Sequence, residues 1–293
     1  MIEFIHDFTE DGLKLQATHW GTNIREICVI CIHGMSGNII ENYFAHIIGE
    51  KLVENNIGFI FGHNRGYSHV NDIITSDGNF KRIGVTYEKF EECIFDINLW
   101  VKKAYDLGYK KIILMGHSLG CNKSIYYLYK NYMNNQNKIH GLVLASPPDM
   151  CGLFRMTNYQ PNYIEMLEEA KGFVNNGTPL KILTSSLWDW YNLSAQTFLS
   201  LSEENGNVDN LPLLRNPEKY EQLSKIDIPI LAFLGSKDDI AIRSLEEDLK
   251  LIKEKAISCP SFTTKIVQGA VHTYLGKENE VAELILGWII STF

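Results

Sequence analysis

One ten-residue stretch determines the fold: Lys111-Ile112-Ile113-Leu114-Met115-Gly116-His117-Ser118-Leu119-Gly120. Its first half is a short, mostly apolar run that is typical of a buried strand, and its second half is a Gly-x-Ser-x-Gly motif. The segment from Cys121 to Tyr132 contains no proline or glycine and is predicted to be a helix. When this motif forms the sharp turn between a strand and a helix, its serine lies at the apex of the turn, where the backbone is strained and the side chain is accessible. We therefore predict that Ser118 is a nucleophile.

The same turn is predicted to form part of an oxyanion hole. The N–H of Leu119 lies at the start of the following helix, where an unpaired donor and the helix dipole favour a developing negative oxygen. A second donor is predicted in the loop that begins with His33-Gly34, after the apolar strand Ile27–Ile32. We assign this role to the N–H of Met35. An ordinary strand-to-helix loop is the alternative interpretation.

Two further reactive residues follow later strands of the chain. Asp238 comes after the apolar run 228–234, and His272 comes after the predicted strand 262–267. An imidazole that is oriented by a carboxylate can take the proton of a serine hydroxyl near neutral pH. We choose Asp238 over Asp239, because Asp239 could instead cap the next helix. The chain order Ser, Asp, His at separate strand ends predicts a catalytic triad.

Strands and helices alternate along the chain except in one segment. Residues 1–149 and 226–293 are predicted to form an α/β core, and it begins with an antiparallel hairpin around Asp11-Gly12. Residues 150–225 break the alternation and are predicted to form a helical cap over the site. Aromatic side chains gather in this segment and predict a partly apolar pocket: Phe154, Tyr159, Tyr163, Phe173, Trp188, Trp190 and Tyr191. Trp188 and Trp190 are our candidates for substrate binding, with packing as the alternative.

Arg65 also follows the end of a buried strand and is a candidate for binding substrate. Its guanidinium could bind a substrate carboxylate, or it could hold a loop by hydrogen bonds to backbone carbonyls. The segment from Val70 to Gly84 is polar and contains glycine, and it is predicted to be a surface loop.

Composition excludes several classes of function. The formal net charge is −8, and no cluster of Lys or Arg is longer than a pair, so binding to nucleic acid or to an anionic membrane is not expected. The first residues include acids, and no apolar run has the length of a membrane span, which predicts a cytoplasmic protein. The oligomeric state cannot be predicted from the sequence.

The cysteines and histidines give no metal-binding pattern. Cys28 and Cys31 lie three apart in a predicted strand, so their side chains should point to opposite faces of the sheet. The nine histidines have no His-x-x-x-His or His-x-His spacing. We therefore predict buried, reduced thiols and catalysis without a metal or other cofactor.

These motifs together resemble the α/β-hydrolase superfamily over nearly the whole chain. The resemblance is carried by His33-Gly34, the motif around Ser118, Gly235-x-x-Asp238 and Val271-His272. It implies an α/β fold with a mostly parallel eight-stranded sheet and helices on both faces. It also implies hydrolysis of a small, partly apolar carboxylic ester through an acyl-serine intermediate. A thioesterase, an acyltransferase and a catalytically inactive ligand-binding receptor of the same fold are the alternatives.

A narrower similarity lies in two segments, 61–66 and 194–201. They are similar to a branch of the superfamily that includes fungal siderophore-esterase-like proteins. The residues after Ser118 are Leu119, Gly120, Cys121 and Asn122, which depart from the pattern of that branch. Siderophore hydrolysis is therefore not implied.

Overall fold

The chain begins with an antiparallel hairpin at the edge of a large sheet. The computed structural model describes residues 2–134, 138–156, 158, 160–215 and 218–293. Strand β1 (Ile2–Phe8) pairs with β2 (Lys14–Trp20), and the turn between them has Gly12 at φ +88°. A positive φ of this kind favours glycine, because other residues have a Cβ that collides with the backbone. The predicted edge hairpin is confirmed.

The remaining strands of the large sheet run parallel to one another. They are β3 (Ile27–Ile32), β4 (Gly58–Gly62), β7 (Lys111–His117), β8 (Gly141–Ala145), β9 (Ile230–Gly235) and β10 (Phe262–Val267). The eight-stranded order is β1-β2-β4-β3-β7-β8-β9-β10, and the antiparallel pairs are β1 with β2 and β2 with β4. The predicted mostly parallel sheet is confirmed. All the parallel strands end at the same edge, which brings together residues that are far apart in sequence.

Helices cover both faces of the sheet. Helices α1 (Tyr43–Glu54) and α9 (Glu278–Thr292) cover one face, and the other face carries α2 (Cys93–Asp106), α3 (Leu119–Met133) and α8 (Leu245–Lys255). A single turn of 3₁₀ helix at Phe90–Glu92 precedes α2. Cys28 packs in the core with α2 and α3, and Cys31 packs in the core with α1 and α9. The two thiols therefore point to opposite faces, as predicted from the two-residue period of a strand.

The segment from Val70 to Gly84 is a small hairpin and not the predicted loop. Strands β5 (Asn71–Ile74) and β6 (Phe80–Ile83) pair antiparallel across a turn at Asp77-Gly78. The Asp77 carboxylate accepts a hydrogen bond from the Asn79 N–H, and Gly78 has φ +82°. An Asp-Gly pair between extended residues indicates a hairpin here as it does at Asp11-Gly12. The polar composition of the strands concealed this pattern.

The segment between β8 and β9 contains several short helices. They are α4 (Met150–Arg155), α5 (Tyr163–Asn175), α6 (Ala195–Ser202) and α7 (Glu221–Ser224). Apolar side chains of α4, α5 and α6 form a core of their own together with Leu119 and Tyr126 of α3. Helices α4 and α7 are too short to produce a periodic pattern in the sequence. Tyr159, one of the aromatics of the predicted pocket, lies outside the described residues. No helix in the described part of the chain has the length and apolar character needed to span a bilayer.

Candidate active site

Ser118 lies at the apex of a tight turn between β7 and α3. Its backbone has φ 56° and ψ −131°, which is strained for a residue other than glycine. The turn depends on close packing of its glycines. A Cβ on Gly116 would lie 2.3 Å from the carbonyl oxygen of Gly120, and a Cβ on Gly120 would lie 2.1 Å from that of Ile32. Only glycine fits at both positions, and this geometry holds the serine at the carboxyl end of β7.

The loop after β3 approaches Ser118 closely. A Cβ on Gly34 would lie 2.7 Å from the Cβ of Ser118 and 3.1 Å from its Oγ. The His33 ring supports this loop, because its Nδ1 bonds to the Gly34 carbonyl at 2.8 Å and its Nε2 accepts the Asn64 N–H at 3.0 Å. Burial lowers the pKa of His33 well below its ordinary value, so the ring is neutral with the proton on Nδ1. The structure thus brings the backbone around Gly34 against the serine.

Asn64 links this loop to helix α3. The Asn64 side chain donates to the His33 carbonyl at 3.0 Å and accepts from Lys123 Nζ at 3.0 Å. Lys123 also pairs with Glu88, and both side chains are fully buried. Asn64 therefore bonds to both segments through one buried side chain. The loop at Gly34 and the helix that begins after Ser118 are therefore held as one unit.

His272 and Asp238 face each other from the loops after β10 and β9. The His272 Nδ1 lies 3.0 Å from Asp238 Oδ1. The Ser146 hydroxyl donates to Asp238 Oδ2, and Tyr274 OH lies 2.7 Å from Ser146 Oγ. Burial alone would raise the pKa of Asp238, but the hydrogen bonds from His272 and Ser146 outweigh burial and lower the pKa. The carboxylate is therefore ionised at neutral pH and holds the imidazole through its Nδ1–H.

His117, the residue before Ser118, contacts the loop that carries His272. The His117 Nε2 lies 2.9 Å from the backbone carbonyl of His272, and the two ring centroids are 4.9 Å apart. The ring also packs on Phe44, with centroids 4.7 Å apart. Burial, followed by repulsion from His272, lowers the pKa of His117 to about 3. The ring is therefore neutral and donates its Nε2–H to the carbonyl, which links the turn of Ser118 to the loop of His272.

Ser118 and His272 line one cavity of about 370 Å³. The predicted oxyanion residue Met35 and the aromatic Trp188 line the same cavity, and Asp238 lies behind His272. Other side chains that line it are Asn42, Pro148, Met150, Leu153, Tyr191, Asp239, Ile240 and Thr273. Leu119 is the first residue of α3, where backbone N–H groups have no acceptor within the helix. The structure therefore brings Ser118, His272, Asp238, Met35, Leu119 and Trp188 together.

Ligand atoms of Asp238, Asp239 and His272 lie within 4.8 Å of one another. Among the described residues near Ser118, these two carboxylates and this imidazole are a set that could hold a divalent cation. The Nδ1 of His272 is already bonded to Asp238, so a cation would compete with that contact.

Trp190 and Arg65 do not line the cavity. The Trp190 side chain is 66% exposed, and its ring packs edge-on against His69. Trp190 follows two residues with positive φ, Trp188 and Asp189, and this turn separates the two indoles. The prediction that Trp190 binds substrate at this cavity does not agree with its position.

Arg65 is buried among carboxylates and not directed at the cavity. Its guanidinium donates to Asp96 at 2.8 Å and to Asp11 at 2.9 Å, and it also pairs with Glu92. Burial alone would lower the pKa of Arg65, but the adjacent Asp96 and Asp11 outweigh burial and raise it. The prediction that Arg65 binds substrate does not agree with this position. Arg65 holds its loop, although its partners are carboxylates and not the backbone carbonyls considered above.

The Arg65 ion pair leads to a prediction for stability. Asp96 is fully buried and accepts hydrogen bonds from both the Arg65 side chain and the Arg65 N–H. Asp96→Ala leaves a buried cation with too few acceptors and is expected to lower the free energy of unfolding by about 3–5 kcal/mol. Urea denaturation measures this change. Asp72→Ala, which removes the exposed partner of Arg82, is the control and should change stability little. Equal losses in both variants would contradict the prediction.

Comparisons with known proteins place the chain in a family. The model of the family described as "Protein of unknown function (DUF1749)" matches residues 88–293. The chain belongs to this family. No curated protein matches the sequence.

Solved structures show the same fold at low sequence identity. The Pyrococcus furiosus esterase Pf2001 has 17% identity and a TM-score of 0.63, over 100% of this chain and 91% of that one. A soluble variant of Saccharomyces cerevisiae monoglyceride lipase has 18% identity and a TM-score of 0.66, over 98% and 94% of the two chains. The thioesterase domain from the curacin biosynthetic pathway has 15% identity and a TM-score of 0.57, over 98% and 99%. The predicted α/β-hydrolase fold is confirmed.

Several residues that hold the site were missed in the sequence. Ser146 directly follows β8, so the rule that favoured residues at strand ends could have found it. Lys123 lies on the side of α3 opposite Cys121 and Ile125, so helical periodicity predicts exposure, whereas in the structure the first ten residues of α3 are all buried. Tyr274 and Asn64 lie in loops, where nothing in the local sequence indicates their hydrogen bonds.

Proposed function

We propose that this protein is a serine hydrolase that cleaves carboxylic esters. The observation that carries the proposal is the arrangement of three side chains. Ser118 sits at a strained apex in the same cavity as His272, and the buried carboxylate of Asp238 binds His272 through Nδ1. With Nδ1 protonated, the Nε2 of His272 has a lone pair that can accept the serine proton. In this proposal Ser118 is the nucleophile, His272 the general base and Asp238 the residue that orients it.

The reaction proceeds in two halves. Ser118 Oγ attacks the ester carbonyl carbon while its proton passes to His272 Nε2, and the carbonyl oxygen becomes an oxyanion. The N–H groups of Met35 and Leu119 bind that oxyanion. The tetrahedral intermediate collapses, and the leaving alcohol takes the proton from His272. Water then attacks the acyl-Ser118 ester with the same base, which releases the carboxylic acid and restores the serine.

The known proteins of similar fold support hydrolysis of an oxygen ester, and they also raise hydrolysis of a thioester as an alternative. An esterase and a monoglyceride lipase act on oxygen esters, and the thioesterase domain raises the alternative that the substrate is a thioester. The same triad serves both, because the acyl-serine intermediate is identical. Acyl transfer to an acceptor other than water is a variant of that alternative.

A labelling experiment and a substrate panel test the proposal. A fluorophosphonate probe should react covalently with Ser118, and mass spectrometry of the digested protein should find the adduct on the peptide that contains it. A ligand-binding receptor without a working triad would stay unlabelled. Hexanoyl esters of p-nitrophenol and of N-acetylcysteamine then compare an oxygen ester with an uncharged thioester. The proposal would be contradicted if the fluorophosphonate did not label Ser118 and neither the oxygen ester nor the thioester were hydrolysed.

Residues 150–225 are proposed to act as a cap that selects the substrate. The cavity wall includes Met150 and Leu153 of α4 and Trp188 and Tyr191 of the segment before α6. The Trp188 ring packs against Phe154, with centroids 5.6 Å apart, so it is held in place. An insertion after β8 leaves the sheet at the edge where Ser118 lies. These contacts support a role in substrate choice.

Trp188→Ala is expected to change the preference for ester chain length. Removal of the indole enlarges the cavity and should raise kcat/KM for long acyl chains relative to short ones by about 10- to 100-fold. A series of p-nitrophenyl esters from acetate to decanoate measures the profile. Trp190→Ala is the matched control, because this exposed indole lies outside the cavity and its loss should leave the profile unchanged. Superimposable profiles of the Trp188 variant and the parent would contradict the role of the cap.

A further inference from the structure

The side chains that line the cavity beside Ser118 are unfavourable for an anion. Among the described residues that line it, none is Lys or Arg, and one is the acid Asp239. A carboxylate oxygen of Asp239 lies within 4.8 Å of ligand atoms of both Asp238 and His272. The formal net charge of the protein is −8, which adds a field of the same sign. An anionic group that approaches Ser118 is therefore repelled.

Much of the cavity wall is also apolar. Pro148, Met150 and Leu153 contribute aliphatic and thioether groups, and Trp188 contributes an indole. Met150 and Leu153 are only 3% and 5% exposed, so they are packed in the protein and the surface that they present to the cavity is small and apolar. A carboxylate placed there would lose its hydration without gaining a cationic partner. An alkyl or aryl group would instead gain by leaving water.

We infer that the substrate is an ester whose acyl group is apolar and carries no negative charge. This inference rests on the proposed function, because it takes the cavity of Ser118 as the substrate site. It separates simple alkyl and aryl esters, which the cavity accepts, from half-esters of dicarboxylic acids, which it rejects. The selection comes from two features of the described residues that line the cavity: none is Lys or Arg, and much of the wall is apolar.

Three p-nitrophenyl esters of equal chain length test the inference. The hexanoate ends in a methyl group, the half-ester of adipic acid ends in a carboxylate, and the corresponding half-amide ends in an uncharged amide. At pH 7 we expect kcat/KM for the adipate half-ester, which ends in a carboxylate, to be about 100-fold below kcat/KM for the hexanoate. The value of kcat/KM for the half-amide should lie between these two values, because the amide group is polar but uncharged. The inference would be overturned if kcat/KM for the hexanoate and the adipate half-ester differed by less than tenfold. It would also be overturned if kcat/KM for the half-amide were as low as that for the adipate half-ester.

Two variants test whether residues of the cavity wall cause the discrimination against the anionic ester. Asp239→Asn removes the negative charge and should raise the adipate-to-hexanoate ratio of kcat/KM by about 3- to 10-fold. Ile240→Lys introduces a cation on the wall and should raise that ratio by about tenfold or more. Glu246→Gln is the control, because this exposed residue in the first turn of α8 does not line the cavity. Circular dichroism verifies that each variant is folded.

The outcomes separate this inference from the proposed function. If the wild-type protein hydrolyses the hexanoate but treats the adipate half-ester equally well, the function stands and the inference on charge is wrong. If it hydrolyses none of the esters and Ser118 is not labelled by the fluorophosphonate, the proposed function is wrong and the inference falls with it. Unchanged ratios in both Asp239→Asn and Ile240→Lys would also overturn the inference, because the selection would then lie elsewhere.

Discussion

Ser118→Ala is expected to lower kcat/KM for p-nitrophenyl hexanoate by about 10³-fold or more while the protein remains folded. The alanine has no oxygen that can form the acyl intermediate, so only binding and the oxyanion hole remain to accelerate attack by water. The backbone at this position already has φ 56° with a side chain present, and alanine adds no new strain. Hydrolysis rates together with thermal unfolding midpoints measure the effect.

Ser68→Ala is a matched control for this variant. Ser68 also has a positive φ, 54°, and the substitution removes the same hydroxyl oxygen at a site that does not line the cavity. Its activity should stay close to that of the parent. If Ser118→Ala retained a tenth of the parent activity, or still reacted with the fluorophosphonate, Ser118 would not be the nucleophile.

Asp238→Asn is expected to lower kcat by about 10²- to 10⁴-fold. The carboxylate accepts the Nδ1–H of His272 and stabilises the imidazolium that forms when the ring takes the serine proton. An asparagine can present its NH₂ group to Nδ1 instead, which favours the tautomer that has its proton on Nε2 and cannot accept another there. Steady-state kinetics at pH 7 with p-nitrophenyl hexanoate measure the loss.

The adjacent Asp239 supplies the comparison for this prediction. Asp239→Asn changes the same atoms one residue away and should lower kcat on the uncharged hexanoate only slightly, because the imidazole is bonded to Asp238. Both variants need the same test of folding, since the Asp238 carboxylate also accepts a hydrogen bond from Ser146. A large loss in Asp239→Asn with a small loss in Asp238→Asn would show that the roles of the two carboxylates are reversed.

The position of the site was predictable because it depends on strands. Ser118, Asp238 and His272 each follow a strand whose apolar residues make it recognisable, and parallel strands end at one edge. Which side chains face the cavity was less predictable, because loop residues follow no fixed period. Arg65 also follows a strand, yet its guanidinium turns towards Asp11, Glu92 and Asp96.

The sequence by itself determined where the strands of the large sheet lie along the chain and how their side chains alternate. This alternation is a local property of an extended backbone, which is why Cys28 and Cys31 could be assigned to opposite faces before any contact was known. The turn at Ser118 was also local, since its glycines and flanking strand are adjacent in the chain.

Only the tertiary structure decided which polar groups hold the site. Ser146 and Asp238 are separated by 92 residues, and Ser146 and Tyr274 by 128, so their hydrogen bonds exist only because β8, β9 and the segment after β10 meet at one edge. The turn that directs Trp188 into the cavity and leaves Trp190 in solvent is likewise set by packing of the segment between β8 and β9. A hydrogen bond depends on the position of both partners to within a few tenths of an ångström, and packing across the whole domain sets that position.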